Sequence, residues 1–184
     1  MSPLHAPILY DPAKHSDLLP QVAHIHNKNI VEKDIIMTFA SPFTSTSDEG
    51  PDPRVLTWWQ KQSEEVDQGS RFIVLQLNKG YQGTDKVTVL GTVSLAMRQS
   101  ETGAMRGTVG NLLVDPGHRR QGIARRVMGK LEAEAEARGR TTLVDHASYR
   151  SRGKSAPLLT TSRHLIHHRI SSSADVSEAR METI

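Results

Sequence analysis

LLVDPGHRRQGIA, residues 112–124, is the stretch on which the reading of this chain turns. Leu112, Leu113 and Val114 are apolar and close a strand that begins near Arg106. Asp115-Pro116-Gly117 is a turn signal. A helix then opens at Gln121 or Gly122, with Ile123, Val127, Leu131 and Ala135 on one stripe and Ala124 and Met128 alongside. Glu132, Glu134, Glu136 and Arg138 lie off that stripe, and Gly139 supplies the stop. The first turn of such a helix carries N–H groups without intrahelical partners and the positive end of the macrodipole. A pyrophosphate can sit there if the backbone can be approached closely. Gly122 removes a side chain at that point, and Ala124 keeps the next contact small. Arg119 and Arg120 add fork-shaped donors for phosphate oxygens. The bland alternative is a basic surface turn with a helix cap. The strand before it, the proline turn and the amphipathic helix after it favour the anion site. The other phosphate loops, G-x-x-x-x-G-K-[ST] and G-x-G-x-x-G, are absent.

Upstream, residues 7–11 (PILYD) are short and β-leaning and end at Asp11-Pro12, a turn signal. Ser16-Asp17 can cap a helix beginning near Leu18, with Leu19, Val22, Ile25 and Ile30 at roughly helical spacing. Residues 41–53 (SPFTSTSDEGPDP) read as a loop, and a second helix runs from Asp52-Pro53 to Gln68-Gly69. Residues 71–77 (RFIVLQL) and 86–98 (KVTVLGTVSLAMR) read as a hairpin with a long glycine-containing connection. Residues 141–144 (TTLV) form a short strand after the main helix. Beyond residue 145 no period is sustained, serines are frequent, and residues 171–184 read as disordered. The order is β, α, α, β, β, β, α, β, a hairpin followed by a β-α-β crossover. That predicts an α/β (α+β) mixed sheet with helices on both faces.

A length of 184 residues suits one domain with a real core. The absence of cysteine excludes disulfides, thiolate catalysis and cysteine-ligated zinc. The first residues show no basic stretch followed by a long apolar run, and nothing is apolar enough to span a bilayer, so a cytoplasmic protein is expected. Lys and Arg exceed Asp and Glu by 23 to 20, an excess suited to an anionic ligand but too small to imply nucleic acid.

R-x-x-G-x-A at residues 119–124, behind an apolar strand ending in Val-Asp-Pro, resembles the CoA-binding motif of the GNAT N-acetyltransferase superfamily. The upstream strand, two helices and hairpin are similar to that family as well. The resemblance implies a GNAT-like acyl-CoA N-acyltransferase fold over residues 1–147. Residues 148–184 would be an atypical, largely disordered tail, and the last strands incomplete. It implies acetyl-CoA as co-substrate, bound where the strands at residues 106–114 and 141–144 splay apart. The backbone of Leu112, Leu113 and Val114 would hold the pantetheine arm. Arg119, Arg120, Gln121, Gly122, Ile123, Ala124 and Arg125 would hold the pyrophosphate. It implies an amine acceptor, on a small molecule or a protein, attacking the thioester directly. No metal, membrane or nucleic acid is expected to take part, and a monomer or homodimer is expected. An alternative is a catalytically impaired acyl-CoA-binding module of the same fold.

The chemistry needs a neutral amine, whereas an alkyl ammonium has a pKa of about 10. Family members often carry a Glu on the central strand as base. Here that strand, RGTVGN at residues 106–111, has no carboxylate, and Thr108 and Asn111 can only orient water. For the acid the family often uses a Tyr in a context like Y-x-x-x-G. Tyr149-Arg150-Ser151-Arg152-Gly153 fits the string but stands close to Val144, and an ordinary loop tyrosine is the stronger reading.

Other clusters read more plainly. His24 and His26, with His15 nearby, are spaced for different helix faces and suit surface or half-buried positions. His164, His167 and His168 have helical spacing but no carboxylate close by. Trp58 and Trp59 can line an acceptor pocket, though packing against the sheet is commoner for at least one. Asp48, Glu49 and Asp52 can attract a cationic amine, but such a cluster is usually solvated. Arg150, Arg152, Lys154, Arg163 and Arg169 lack interleaved aromatics and make a weak nucleic-acid surface.

Overall fold

The structure, a computed structural model, describes residues 4–32, 50–78, 87–97, 103–145 and 168–169. Strand β1 is Ile8–Leu9. It is followed by the short helix α1, Pro12–His15, and, after a turn of 3-10 helix over Ser16–Leu18, by helix α2, Leu19–Val31. Helix α3 is Pro53–Asp67. Strands β2 (Arg71–Asn78), β3 (Thr88–Met97) and β4 (Arg106–Val114) come next, then helix α4 (Ile123–Ala137) and strand β5 (Thr142–Asp145). His168–Arg169 forms a last strand, β6.

The sheet has six strands in chain order. The pairs β1–β2, β2–β3 and β3–β4 are antiparallel, β5 runs parallel to β4, and β6 is antiparallel to β5. Alternation along β2 divides the core. Ile73 and Leu75 join Val22, Ile25, Val55 and Trp59 under α2 and α3. Phe72 and Val74 join Val93, Leu95, Val127, Leu131 and Leu143 under α4. The α4 stripe expected from its four-residue spacing, Ile123, Val127, Leu131 and Ala135, is the buried face. Gly139 ends that helix at φ +68°, and Arg140 N–H closes back on Ala135 O at 2.9 Å, a Schellman turn.

Three local expectations are corrected. Ser16-Asp17 does not cap α2. Asp11 caps α1 instead, its carboxylate accepting from Ala13 N–H at 3.0 Å, and Pro12 takes the first helical position. What reads as an Asp-Pro turn is thus a helix start. α4 begins at Ile123, with Gly122 as its N-cap in the left-handed region. Beyond β5 the sequence shows no returning strand, yet β6 pairs Thr142 with Arg169 and Leu143 with His168. A two-residue strand is too short for any period to reveal. The rest of residues 148–184, with Tyr149, lies outside the described residues, as do Asp48, Glu49, His164 and His167.

Candidate acyl-CoA site

β4 is the strand that shapes the site. Its parallel ladder with β5 runs from Arg106↔Thr142 to Val109↔Asp145, so residues 111–114 lie beyond the end of β5. On its other edge the register with β3 slips: Ser94 faces Gly110 but Thr92 faces Leu113. Asn111 and Leu112 together therefore oppose Val93, and Asn111 takes a positive φ of 55°. This is a β-bulge, which bends the strand and re-aims the residues after it. Leu112 is left 44% exposed while Leu113 enters the core beneath α2. Val114 is half-buried, and its carbonyl receives Asn29 Nδ2 at 3.1 Å.

The turn after β4 is held by Asp115. Its Oδ1 accepts from Gly117 N–H at 2.8 Å, and its Oδ2 meets Lys28 Nζ of α2 at 3.2 Å. Burial pushes the Asp115 carboxyl up, but the Gly117 N–H, Lys28 and His118 outweigh it and hold the group below the ordinary carboxylate range. Arg119 is engaged with α2. Its guanidinium donates to Asn29 Oδ1 at 2.9 Å and pairs with Glu32 at 3.3 Å. Asn29, buried within α2, thus ties the end of β4 and the turn to one helix. Arg119, which the sequence suggests as a phosphate ligand, here fixes the turn against α2.

Arg120 stands at φ 62° and Gly122 at φ 76°, two left-handed residues within one turn. A Cβ on Gly122 would meet nothing within 4 Å among the described residues. No side chain caps the first turn of α4, whose first intrahelical bond is Arg126 N–H to Gly122 O at 3.1 Å. The N–H groups of Ile123, Ala124 and Arg125 thus lack intrahelical acceptors. Gln121 and Arg125 are exposed, and Ala124 is half-buried. Ile123 is 1% exposed, so it can offer a ligand only its backbone. Arg126 is committed elsewhere, to Gln76 and the carbonyls of Leu4 and His5. The residues present fit a pyrophosphate: open space, uncapped N–H groups, and Arg120 and Arg125 without a partner among the described residues.

A cavity of about 320 Å³ is lined by Asp115 and, among others, by Gln21, His24, Lys28, Thr88 and Val89. None of the residues expected in the CoA site lines it. His24 is half-buried there. His26 is fully buried instead of half-exposed, its Nδ1 accepting from Trp59 Nε1 at 3.2 Å. Trp59 packs in the core and Trp58 half-buried beside it. The Asp52 carboxylate caps α3 and grips Arg54 at 2.6 Å, which holds its pKa down. Among the described residues no three His, Cys, Asp or Glu are placed to hold a metal. No helix among them is long and apolar enough to cross a membrane.

The sequence missed Asn29, Ser94 and Arg71, and read Asn111 only as a residue that can orient water. One signal was there: asparagines inside a helix or strand are costly unless their side chains bond the backbone or the backbone is left-handed.

Residues 33–153 match the family model described as the acetyltransferase (GNAT) family. No curated protein sequence matches the chain. Among solved structures the fold is similar to an aminoglycoside 6'-N-acetyltransferase complexed with coenzyme A. That match has a TM-score of 0.53 at 16% identity and covers 77% of this chain and 61% of that one. It is similar too to the ribosomal-protein-alanine N-acetyltransferase of Brucella melitensis, with TM-score 0.53, 16% identity and 77% and 73% coverage. The yncA protein of Salmonella typhimurium, solved with its cofactor acetyl-CoA, gives TM-score 0.50 and 16% identity over 78% of this chain and 69% of that one. At these identities the likeness is one of fold.

Proposed function

Because the chain belongs to the acetyltransferase (GNAT) family, we propose that it is an acetyl-CoA-dependent N-acetyltransferase acting on an amine of a small molecule or protein. The observation that carries the reading is the open, uncapped N-terminus of α4 at Gly122, flanked by Arg120 and Arg125. Backbone N–H groups of residues 123–125 would bond the pyrophosphate, with Gln121 at the rim. Leu112 and Leu113, beyond the end of β5, would offer backbone groups to the pantetheine arm. Val114 would offer mainly its N–H side, since its carbonyl already serves Asn29.

The amine nitrogen attacks the thioester carbonyl. The C–N bond forms, the C–S bond breaks, and the CoA thiolate takes up a proton. With no carboxylate on β4, the ammonium proton passes to water, and Tyr149 is the proposed donor to the thiolate. In this proposal no metal, membrane or nucleic acid takes part, and the enzyme works in the cytoplasm as a monomer or homodimer.

Calorimetric titration with acetyl-CoA tests the reading, repeated with Gly122→Glu. The variant places a carboxylate beside the first turn of α4 on a backbone that disfavours a side chain. Binding is expected to weaken by at least about tenfold, equivalent to about 1.4 kcal/mol. An inert wild type, or a variant that binds equally well, overturns the proposal. Binding without thiol release over an amine panel would favour an impaired acyl-CoA-binding module, whose motivating feature is the carboxylate-free β4.

A further inference from the structure

The bulge in β4 is locked by a chain of side chains from three elements. Glu65, at the end of α3, accepts from Arg71 Nε at 2.7 Å. Arg71 Nη1 donates to Ser94 Oγ at 3.0 Å. Ser94 Oγ lies 3.2 Å from Gly110 O and 3.0 Å from Asn111 Nδ2. Ser94 is fully buried, and the Arg71 side chain is 13% exposed.

The chemistry of this chain fixes which way the Asn111 carboxamide faces. Serine has one proton and two lone pairs. A carbonyl can only accept, so the Ser94 proton goes to Gly110 O. Arg71 can only donate and fills one lone pair. The group that Asn111 turns to Ser94 must therefore be its NH2, which fills the other. Reversing the amide would set its oxygen against Ser94 Oγ with no proton between them. Oδ1 is left as the outward end. It makes no hydrogen bond among the described residues, and Asn111 is only partly buried.

We propose that Asn111 orients the acceptor: its Oδ1 accepts an N–H from the amine that attacks the thioester, at the bulge where β4 passes the end of β5. The inference rests on the acetyl-transfer function proposed for the chain. The location follows from the fold, since residues 112–114, offered to the pantetheine arm, adjoin Asn111 in the chain. The amide takes no proton. It holds the nitrogen so that its lone pair faces the carbonyl, and the proton released as the C–N bond forms leaves through water. An uncharged acceptor oxygen suits an amine that arrives neutral. It supplies direction where a carboxylate would also stabilise the unreactive ammonium.

The test uses the full chain with kanamycin, spermidine and an alanine-terminated peptide as amines, following thiol release. Asn111→Gly keeps the positive φ without strain and removes the amide. Its kcat/KM for the best amine is expected to fall about 10- to 100-fold, with calorimetric acetyl-CoA affinity within about twofold of wild type. Asn111→Gln keeps both ends of the amide, a donor for Ser94 and an acceptor oxygen, and is expected to recover part of that loss. The inference is overturned by an unchanged Asn111→Gly, by equal losses in the two variants, or by a matching loss of acetyl-CoA affinity. The last result would mean that the residue acts on the strand and not on the amine. A wild type that binds acetyl-CoA but turns over none of the amines sinks the inference while leaving the CoA site standing. A wild type that does not bind sinks both.

Discussion

Arg120 holds a left-handed backbone, φ 62°, in which a side chain costs conformational energy and glycine does not. An arginine stands there although its guanidinium makes no hydrogen bond or ion pair among the described residues. The physical reason offered by the proposed site is charge: the side chain is free to close on a phosphate. Arg120→Gly separates the two roles. Stability by urea denaturation is expected to stay within about 1 kcal/mol of wild type, strain relief offsetting the added freedom of the unfolded chain. Acetyl-CoA affinity is expected to drop about three- to tenfold at low salt, a difference that shrinks as salt rises. Unchanged affinity would remove Arg120 from the site. Arg119 shows how adjacent arginines diverge. It is spent on Asn29 and Glu32, and the motif string alone does not distinguish it from its neighbour.

At the scale of elements, α2 and α3 are joined by a buried aromatic contact with one polar link. Trp59 Nε1 donates to His26 Nδ1 at 3.2 Å, so the imidazole is neutral with its proton on Nε2. Burial pushes the His26 pKa down to about 4. In the unfolded chain the value returns to about 6.5. Between these the unfolded state binds more protons, so stability is fully present above about pH 6.5 and is lost as pH falls toward 4. The full loss is about 3 kcal/mol as an order of magnitude. Urea midpoints measured from pH 7.5 to 4.5 should show this slope, and His26→Gln, which can still accept from Trp59, should flatten it. A variant with the same slope would assign the effect to other groups. The i, i+2 spacing of His24 and His26 predicted separate faces correctly. Which face became the core depended on α3, whose Trp59 supplies the partner.

At the scale of the molecule, one sheet separates two apolar layers, and β2 and β3 contribute to both. Neither layer can open without exposing the back of the other, so the fold should unfold as one unit. Trp59→Ala on one side and Leu131→Ala on the other should each lower the same calorimetric transition, by about 3–5 and 2–5 kcal/mol. Two separable transitions in either variant would contradict this. Much of this architecture was legible in the sequence. The apolar, β-branched runs of β2 and β3 and the period of four in α4, with Pro and Gly at the ends, are local signals, because burial on both faces of the strands and on one face of the helix imposes them residue by residue. The same locality exposed the strand-turn-helix at residues 112–124 and the glycine at its hinge, whose left-handed backbone the structure adds. What tertiary structure alone decided is how the residues around that hinge are spent. Asn29 takes Arg119 and the Val114 carbonyl, Asp115 takes Lys28, and Ser94 with Arg71 orients Asn111. These partners lie 15 or more residues apart in the chain, and a side chain's choice among them depends on the register of β3 against β4 and the docking of α2, which no local pattern encodes.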